Sequence, residues 1–298
     1  MTETADMTTS STAPPKIITS KTEMRRAVMK ATASGKSVGV VMTMGALHEG
    51  HVSLVEQCTR DVDVTVVTIF VNPTQFLPGE DFEKYPRDLE GDLAAVSDSP
   101  VDFVFAPTAQ EMYGDHFSTA IQPPDVAKPL EGLHRPGHYE GVCTVVFKLL
   151  QAVPASLAFF GHKDYQQYLV IRQMAADLDL DSKIEVCPTV REPDGLAMSS
   201  RNRYLSDAER KQALAISRAL IAAKESVAAG TVAAATIAKG IHEQLAAAGI
   251  SKIDYVAVVD RDTLSEIATI DGSAVALVAV HVGDTRLIDN MILSTGSH

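Results

Sequence analysis

Several residue types are scarce or absent in this sequence. It has no tryptophan, only three cysteines among 298 residues, and no apolar run of membrane-spanning length. Cys58, Cys143 and Cys187 are scattered, without a Cys-x-x-Cys pair, which predicts buried free thiols in a reduced, cytoplasmic setting. Residues 1–15 lack the basic and apolar regions of a signal peptide, and their Ser/Thr-rich composition predicts a disordered tail.

Basic residues are outnumbered by acidic ones. There are 26 Lys and Arg against 38 Asp and Glu, so the formal net charge is −12. A general nucleic-acid surface needs a basic face to release counterions, and this balance argues against one. We therefore expect neither a nucleic-acid nor a membrane partner. An anionic substrate must be bound by a local cluster of arginine and lysine.

Apolar runs alternate with helical patterns from about residue 16 to residue 188. This alternation is typical of a parallel sheet covered on both faces, with ligands at the carboxyl ends of the strands. It predicts an α/β fold with a Rossmann-like doubly wound parallel sheet. The predicted strands are Val38–Val41, Val64–Val71, Asp102–Ala106, Leu157–Phe160 and Ile184–Val186. The predicted helices are Thr22–Ala33, His51–Arg60, Leu89–Ser97, Val142–Ala152 and Tyr165–Leu178.

The pattern changes after about Pro188. Ser206–Glu209 is a capping box that begins an Ala-rich helix ending near Gly230, and a second helix runs from there to about Gly249. Three strand-like segments follow: Asp254–Val259, Ala274–Val280 and Arg286–Leu293. Helices followed by strands predict a second, smaller α+β domain.

The expected organisation is therefore a tail and two domains. Residues 1–15 are the tail, residues 16–188 the nucleotide-binding domain, and residues 189–298 the smaller domain. The segment Glu192–Arg203 is rich in Gly, Ser and Arg, so we expect it to be a mobile phosphate-binding loop at the start of the second domain.

Two histidines, His48 and His51, stand where the first buried strand is expected to turn into a helix. Gly45 and Gly50 have no Cβ there, which lets the backbone approach a ligand closely. The free N–H groups and positive dipole end of the following helix suit a phosphate. The imidazoles can donate hydrogen bonds to phosphate oxygens, and their charge can follow the negative charge that develops during phosphoryl or nucleotidyl transfer. The motif indicates a nucleotide-handling site.

Two other interpretations of these histidines are open. In the first, one imidazole is partly exposed and the other caps the helix, with no ligand involved. The second is a zinc site. However, His48-Glu-Gly-His51 is not His-Glu-x-x-His, and no Cys/His/Asp cluster elsewhere offers a third ligand, so zinc is disfavoured.

Further polar groups follow the other strands. Asn72 and Gln75 come after the second strand and could bind a hydroxyl or carboxylate without adding charge. Arg135 lies in a Gly- and Pro-containing loop that could clamp an anion or close over a site. Lys163 follows Gly161 at another strand-to-helix junction and supplies a point charge for phosphate.

The remaining candidates lie close to that lysine or in the segment after Pro188. Asp164 could orient the lysine or cap the helix, and Gln167 faces the same way one turn on. Ser199 and Ser200 lie beside Arg201 in a phosphate-binding patch. Each segment taken alone has a structural explanation, such as a turn, a solvated loop, a weak surface ion pair or a linker. Five of them on one parallel-sheet domain make coincidence improbable.

In this order and at these intervals, the five segments closely resemble pantothenate synthetases (pantoate–β-alanine ligases). The resemblance covers residues 16 to 293. Met44–His51 together with Met198–Arg201 is typical of the nucleotidyltransferase superfamily that includes class I aminoacyl-tRNA synthetases. Ile69–Phe76, Leu130–Gly141 and Gly161–Gln167 resemble this one family.

The resemblance implies a two-step reaction in pantothenate and coenzyme A biosynthesis. The carboxylate of pantoate attacks the α-phosphorus of ATP, giving pantoyl adenylate and pyrophosphate. The amine of β-alanine then attacks the acyl carbon, giving pantothenate and AMP. The resemblance also implies Mg²⁺ accompanying ATP and a homodimer that associates through the first domain.

Roles of single residues are likewise implied by the resemblance. Gln75 and Gln167 would hold pantoate, with Gln75 also near β-alanine. Arg135 would approach the site on its loop, Asp92 would be a carboxylate near the magnesium, and His51 would be a proton donor. The residues assigned to catalysis are His48, His51, Lys163 and Arg201. The residues assigned to ATP are Met44, Gly45, Ala46, Leu47, His48, Glu49, Gly50, His51, Gly161, His162, Lys163, Asp164, Val190, Met198, Ser199, Ser200 and Arg201.

Met42 departs from the family pattern, which has proline at this position before Thr43. Proline fixes φ and lacks an N–H, so methionine loosens this turn or frees a donor. The substitution therefore bears on how tightly ATP is bound.

Two other functions are open to the sequence. One is a nucleotidyltransferase that leaves the nucleotide on its product, which would need a second cationic phosphate cluster in place of Gln75 and Gln167. The other is a non-enzymatic member that binds nucleotide or RNA. The acidic balance argues against RNA, and the intact catalytic set argues against loss of activity.

Overall fold

A computed structural model describes residues 14–296, so most of the predicted disordered tail lies outside the described residues. Six strands form one parallel sheet in the order β1-β4-β3-β2-β5-β6. They are β1 (Lys16–Ile18), β2 (Val38–Thr43), β3 (Val64–Ile69), β4 (Phe103–Phe105), β5 (Leu157–Gly161) and β6 (Lys183–Cys187). The predicted doubly wound parallel sheet is confirmed.

Helices connect these strands and cover both faces of the sheet. Side chains of α1, α6 and α7 contribute to a core on one face, while α2 and the end of α3 contribute to a core on the other. The helices are α1 (Lys21–Ala33), α2 (Glu49–Asp61), α3 (Leu89–Ala95), α4 (Ala109–Tyr113), α5 (Glu131–His134), α6 (His138–Ala152) and α7 (Tyr165–Asp177). Short 3₁₀ turns occupy Pro73–Gln75, Asp125–Ala127, His162–Asp164 and Ser200–Tyr204.

The boundaries differ from the sequence predictions where local backbone geometry intervenes. The second predicted strand ends at Ile69 because Asn72 caps a 3₁₀ turn that begins at Pro73. Helix α6 begins at His138, four residues earlier than predicted, after Gly137 adopts a left-handed conformation with φ of 88°. The edge strand β1 is only three residues long and has no predicted counterpart.

The rest of the described chain forms the smaller α+β unit. A three-stranded antiparallel sheet, in the order β7-β8-β9, packs with two helices around its own hydrophobic cluster. The elements are α8 (Asp207–Ala228), α9 (Ala234–Ala247), β7 (Lys252–Asp260), β8 (Ser273–Val282) and β9 (Thr285–Ser294). The predicted capping box is present, with Ser206 and Glu209 exchanging hydrogen bonds at the start of α8.

The sheet order places a topological switch point between β2 and β5. From β2 the chain continues to β3 and β4 on one side, and from β5 it continues to β6 on the other. The loops after these two strands therefore diverge at their carboxyl ends, which is where open α/β sheets bind ligands.

Two expectations from composition can be compared with the structure. Cys58, Cys143 and Cys187 are buried and free, as predicted. Burial raises the pKa of Cys58 to about 11 and that of Cys143 to about 12. None of the helices formed by residues 14–296 has the length and apolar character needed to cross a membrane.

Candidate functional site

One cavity of about 1170 Å³ lies at the carboxyl ends of the parallel strands and extends to the smaller α+β unit. It brings together most of the residues singled out in the sequence, from the loops after β2, β3, β5 and β6. The predicted site residues that line it are Met44, His48, Gly50, His51, Gln75, Arg135, Gly161, Lys163, Asp164, Gln167, Val190, Met198, Ser199, Ser200 and Arg201.

Six other predicted residues are not among the lining residues of this cavity within the described part of the chain: Gly45, Ala46, Leu47, Glu49, His162 and Asp92. Of these, Gly45, Ala46 and Leu47 belong to the turn before His48, and Glu49 is the first residue of α2. The ring of His162 instead packs against Tyr165, with 4.8 Å between ring centroids.

Asp92 supports the loop after β2 from below. It is 3% exposed, and its Oδ1 accepts the N–H of Leu47 at 2.7 Å. A Cβ on Gly45 would lie 2.7 Å from Oδ2 of Asp92, so only glycine fits against this carboxylate, and its φ of 83° also favours glycine. Burial raises the pKa of Asp92, while the N–H groups of Leu47 and Ala46 act in the opposite direction. These contacts give Asp92 a role in shaping the loop.

The two histidines form a reciprocal cap at the start of α2. The N–H of Gly50 donates to Nδ1 of His48 at 3.1 Å, and the N–H of His48 donates to Nδ1 of His51 at 3.4 Å. The two rings lie 4.1 Å apart between centroids. A Cβ at Gly50 would lie 2.9 Å from the ring of His48, which explains the need for glycine there. Both histidines therefore cap α2, and this capping is compatible with a ligand role.

This arrangement fixes the protonation of both rings. Each Nδ1 accepts a backbone N–H, so each neutral ring carries its proton on Nε2. Burial, then the neighbouring Lys163, lowers the pKa of His48 to about 4. Burial, then His48, lowers the pKa of His51 to about 3. At neutral pH both rings are therefore neutral and carry an Nε2–H donor. The change of charge expected during the reaction stays a prediction.

Gln75 is oriented by the buried Asn72. The Nδ2 of Asn72 donates to Oε1 of Gln75 at 3.1 Å and to the carbonyl oxygen of Gly141 at 3.2 Å. The amide nitrogen of Gln75 then points to the sulfur of Met44, at 3.0 Å. Asn72 is 1% exposed, so it is more than a turn residue: it directs the donor end of Gln75 towards the cavity.

Lys163 and Gln167 line the cavity on the opposite side of the switch point. The ammonium of Lys163 lies 3.8 Å from Asp164, and the lysine side chain is 20% exposed. The neighbouring Gln166 is 3% exposed and bonds to the chain instead. Its Nε2 donates to the carbonyl oxygens of Val126 and Pro129, at 2.9 and 2.8 Å. Gln166 therefore fixes the chain before α5, a role that the sequence did not reveal.

An acidic loop that the sequence analysis missed contacts both predicted arginines. We call residues 77–85, between Gln75 and α3, the acidic loop. Asp81 accepts two hydrogen bonds from Arg201, at 2.9 and 3.0 Å. Glu80 accepts two from Arg135, at 2.6 and 2.7 Å. The sequence signal for this loop was a pair of adjacent acidic residues directly after Gly79 and close to Gln75.

Within the Leu130–His138 segment, the buried Glu131 links α5 to the antiparallel sheet. Glu131 is 6% exposed and accepts two hydrogen bonds from Arg286, at 2.6 and 3.0 Å, and one from Tyr255 at 2.8 Å. Arg286 in turn donates to Asp254 at 2.7 Å. The interpretation of this segment as a solvated surface loop is therefore wrong for Glu131. Its side chain connects α5 to β7 and β9.

His138 is held in its neutral form by two neighbours. Its Nδ1 donates to the carbonyl oxygen of Gln75 at 2.8 Å, and its Nε2 accepts from Arg135 at 3.0 Å. Protonation of Nε2 would break the second bond and bring two cations together. Burial, then Arg135, accordingly lowers the pKa of His138 to about 4.

These histidines predict a loss of stability in mild acid. The unfolded chain takes up protons near pH 6.5, whereas folded His48, His51 and His138 stay neutral down to about pH 4 or below. The free energy of unfolding should fall as pH drops from 6.5 to 4, by up to about 1.4 kcal/mol per pH unit for each histidine. Urea unfolding at intervals between about pH 7 and pH 5 measures this slope. His138→Gln should reduce it, and an unchanged slope would contradict the assignment.

A doubly wound sheet with a cavity at its switch point, lined by two histidines and a lysine, defines the class of protein: an α/β protein with a candidate site for a phosphate-bearing ligand there. A model of the family described as pantoate-beta-alanine ligase matches residues 16–292. The chain therefore belongs to the pantoate–β-alanine ligase family, and the resemblance inferred from the sequence is confirmed.

Similar proteins cover nearly the same length. Pantothenate synthetase of Thermosipho africanus is 46% identical over 278 residues, which is 93% of this chain and 100% of that protein. The Dehalococcoides mccartyi protein is 50% identical over 257 residues, which is 86% and 96% of the two chains.

Solved structures agree with this assignment. Pantothenate synthetase from Thermus thermophilus has a TM-score of 0.88 at 42% identity, covering 93% of this chain and 98% of that one. Pantoate-beta-alanine ligase from Francisella tularensis, complexed with beta-gamma ATP and beta-alanine, has a TM-score of 0.77 at 33% identity, covering 93% and 97%.

Proposed function

We propose that this chain condenses (R)-pantoate with β-alanine, using ATP and forming pantothenate, AMP and pyrophosphate through a pantoyl adenylate. Membership of the pantoate–β-alanine ligase family supports the reaction. The observation that carries the proposal is the meeting of two strand-to-helix junctions at one cavity. The loop after β2 brings His48 and His51, and the turn after β5 brings Lys163.

The arrangement suits a reaction between two anions. Lys163 supplies a positive charge to the phosphates of ATP, and the Nε2–H groups of His48 and His51 supply neutral donors. Arg201 and Ser199 would complete the phosphate contacts from the segment after β6. Positioned charge of this kind lowers the repulsion between the pantoate carboxylate and the triphosphate as the pentavalent transition state forms.

Neutral amides suit the other substrate. Gln75 presents its amide nitrogen to the cavity, and Gln167 lines the same cavity from α7. Both can bind pantoate without drawing its carboxylate into an ion pair that would weaken it as a nucleophile. On the family resemblance we also assign Gln75 to β-alanine. Closure of the Arg135 loop or of the acidic loop would protect that intermediate from water.

Magnesium enters this proposal with ATP. No group of three or more His, Cys, Asp or Glu side chains among residues 14–296 is arranged to hold a metal ion by itself. Mg²⁺ commonly keeps several waters and binds through substrate phosphates with one or two carboxylates. The carboxylate of Asp92 is turned to the loop backbone, so it does not fit the role of a direct ligand in this conformation. We therefore assign Mg²⁺ to the triphosphate.

Assembly and location are parts of the same proposal. The family suggests a cytoplasmic homodimer with small-molecule substrates and no nucleic-acid or membrane partner. The net charge of −12 argues against a nucleic-acid partner, and the buried free cysteines fit a reducing compartment. Sedimentation of the purified protein would test the dimer.

The reaction can be tested by measuring AMP and pyrophosphate with ATP and magnesium, adding pantoate and β-alanine separately and together. We expect AMP only when both are present, in step with pantothenate. An adenylylated product that accumulates instead would favour a nucleotidyltransferase. Turnover with another acid or amine would overturn the substrate assignment.

Gln75→Ala should raise the KM for pantoate by about tenfold or more, because it removes a donor that Asn72 aims at the cavity. The KM for ATP should stay within about twofold of the wild-type value, because a change of this size corresponds to a very small loss of binding free energy. Steady-state kinetics with each substrate varied in turn measures both. Gln173→Ala is a matched control, since this exposed glutamine contacts Asp177 on the outer part of α7. Equal weakening of both substrates would mean that Gln75 is structural.

A further inference from the structure

Asn290 lies in β9 of the smaller α+β unit but contacts the turn that carries Lys163. It is 3% exposed. Its Nδ2 donates to the carbonyl oxygen of His162 and to that of Lys163, both at 2.9 Å. These two carbonyls belong to the 3₁₀ turn after β5. One side chain of the smaller α+β unit therefore uses both of its amide protons to hold this turn.

The orientation of this amide follows from its surroundings. A flipped amide would put Oδ1 of Asn290 against two carbonyl oxygens, so only the donating orientation is compatible with them. In that orientation Oδ1 is buried as well, so the whole amide is enclosed at this contact.

The preceding residue, Asp289, holds the other predicted phosphate-binding segment. It is 4% exposed and accepts two hydrogen bonds from Arg191, at 2.7 and 3.0 Å. Arg191 pairs with Ala197 in an isolated β-bridge, immediately before Met198. Adjacent residues of one strand thus fix both the Lys163 turn and the segment that leads to Arg201.

The side chain of Lys163 is mostly enclosed, with 20% of its surface exposed, and its ammonium lies 3.8 Å from Asp164. An enclosed side chain has little freedom to compensate for a shift of its own backbone. The position of the lysine therefore depends on the backbone of its turn. That backbone is what Asn290 holds.

We propose that Asn290 is a positioning residue for Lys163 in ATP use, an inference that rests on the proposed function. It does not contact the reacting atoms. It acts by fixing the turn from which Lys163 reaches the phosphates, and so couples the smaller α+β unit to the chemistry at the parallel sheet. A displacement of about 1 Å in such a group is enough to lower rates by about 100-fold.

The test compares wild type, Asn290→Ala, Lys163→Ala and the double variant by kcat/KM for ATP in the pantothenate assay. Asn290→Ala alone should lose about 100-fold, with the KM for pantoate unchanged. In the Lys163→Ala background the same substitution should have almost no further effect, because the group it positions is gone. Additive losses would overturn the proposal, since a general structural role would persist without Lys163.

Ser182→Ala is the matched control. Ser182 is 8% exposed and also donates to a main-chain carbonyl, that of Ala155, but at the amino end of β6. It should lower the melting temperature and leave kcat/KM for ATP unchanged. If Asn290→Ala behaves like this control, the proposal fails. If Asn290→Ala does not fold, Asn290→Asp keeps the shape and removes the donors, and full activity in that variant would overturn the inference.

Wild-type turnover separates this inference from the proposed function. A wild-type protein that makes no pantothenate refutes the function itself. If the wild-type protein makes pantothenate and Asn290→Ala is equally active, only the positioning role is refuted.

Discussion

His51→Ala should lower kcat/KM for ATP in adenylate formation by about 10²–10³-fold, the loss typical of removing one donor from a transition-state site. The ring of His51 is fixed by the N–H of His48, which leaves Nε2–H as its free donor. Alanine removes that donor and half of the reciprocal cap of α2. Pyrophosphate release with ATP and pantoate, without β-alanine, measures this step directly.

The control for this variant is His242→Ala, which removes an exposed imidazole that is not among the residues lining the described cavity. It should have wild-type kinetics. Thermal unfolding of His51→Ala should show an intact fold, because the motif lies at one end of the sheet. Turnover near that of wild type would remove His51 from the mechanism.

The pH dependence distinguishes a donor from an acid. Since the pKa of His51 is lowered to about 3, the ring is already neutral at about pH 6. We expect kcat/KM for ATP to change little between about pH 8 and pH 6 on its account. A different result is a change in kcat/KM centred near pH 6.5 in the wild type that is absent in His51→Ala. It would mean that the ring titrates at its ordinary value, about 6.5, and acts through its charge.

Lys163→Ala should have an effect of similar size, about 10²–10³-fold on kcat/KM for ATP, because it removes the positive charge at the switch point. The KM for pantoate should change much less. Lys163→Arg should restore only part of the activity, since the guanidinium is planar and bulkier than the compact ammonium. Lys183→Ala removes an exposed lysine paired with Glu185 and serves as the control. Activity of Lys163→Ala within a few-fold of wild type would contradict the proposed site.

The sequence predicted the parallel sheet and most of the cavity because ligand groups in such folds follow the carboxyl ends of strands. The junctions at His48 and Lys163 are local patterns, readable from a few neighbouring residues. Their meeting depends on β2 pairing with β5, a contact between residues more than a hundred positions apart. Sequence spacing alone does not give that pairing.

Other features could not be predicted because they depend on burial or on distant partners. The low pKa values of His48 and His51 arise first from burial, which is a property of the folded chain. The pairing of Glu80 with Arg135 spans 55 positions, and that of Asp81 with Arg201 spans 120. Short elements such as β1 and α5 contain too few residues to show a periodicity.

The acidic loop has a consequence for how strongly the substrate can bind. Both predicted anion-binding arginines are already paired with a carboxylate in this structure: Arg201 with Asp81, and Arg135 with Glu80. Under the proposed roles, ATP binding is an exchange of one anion for another at Arg201. The free energy needed to release Asp81 from Arg201 reduces the free energy of ATP binding. The ground-state complex is therefore weaker than it would be if Arg201 were unpaired. Weak ground-state binding is what leaves interaction energy for the transition state.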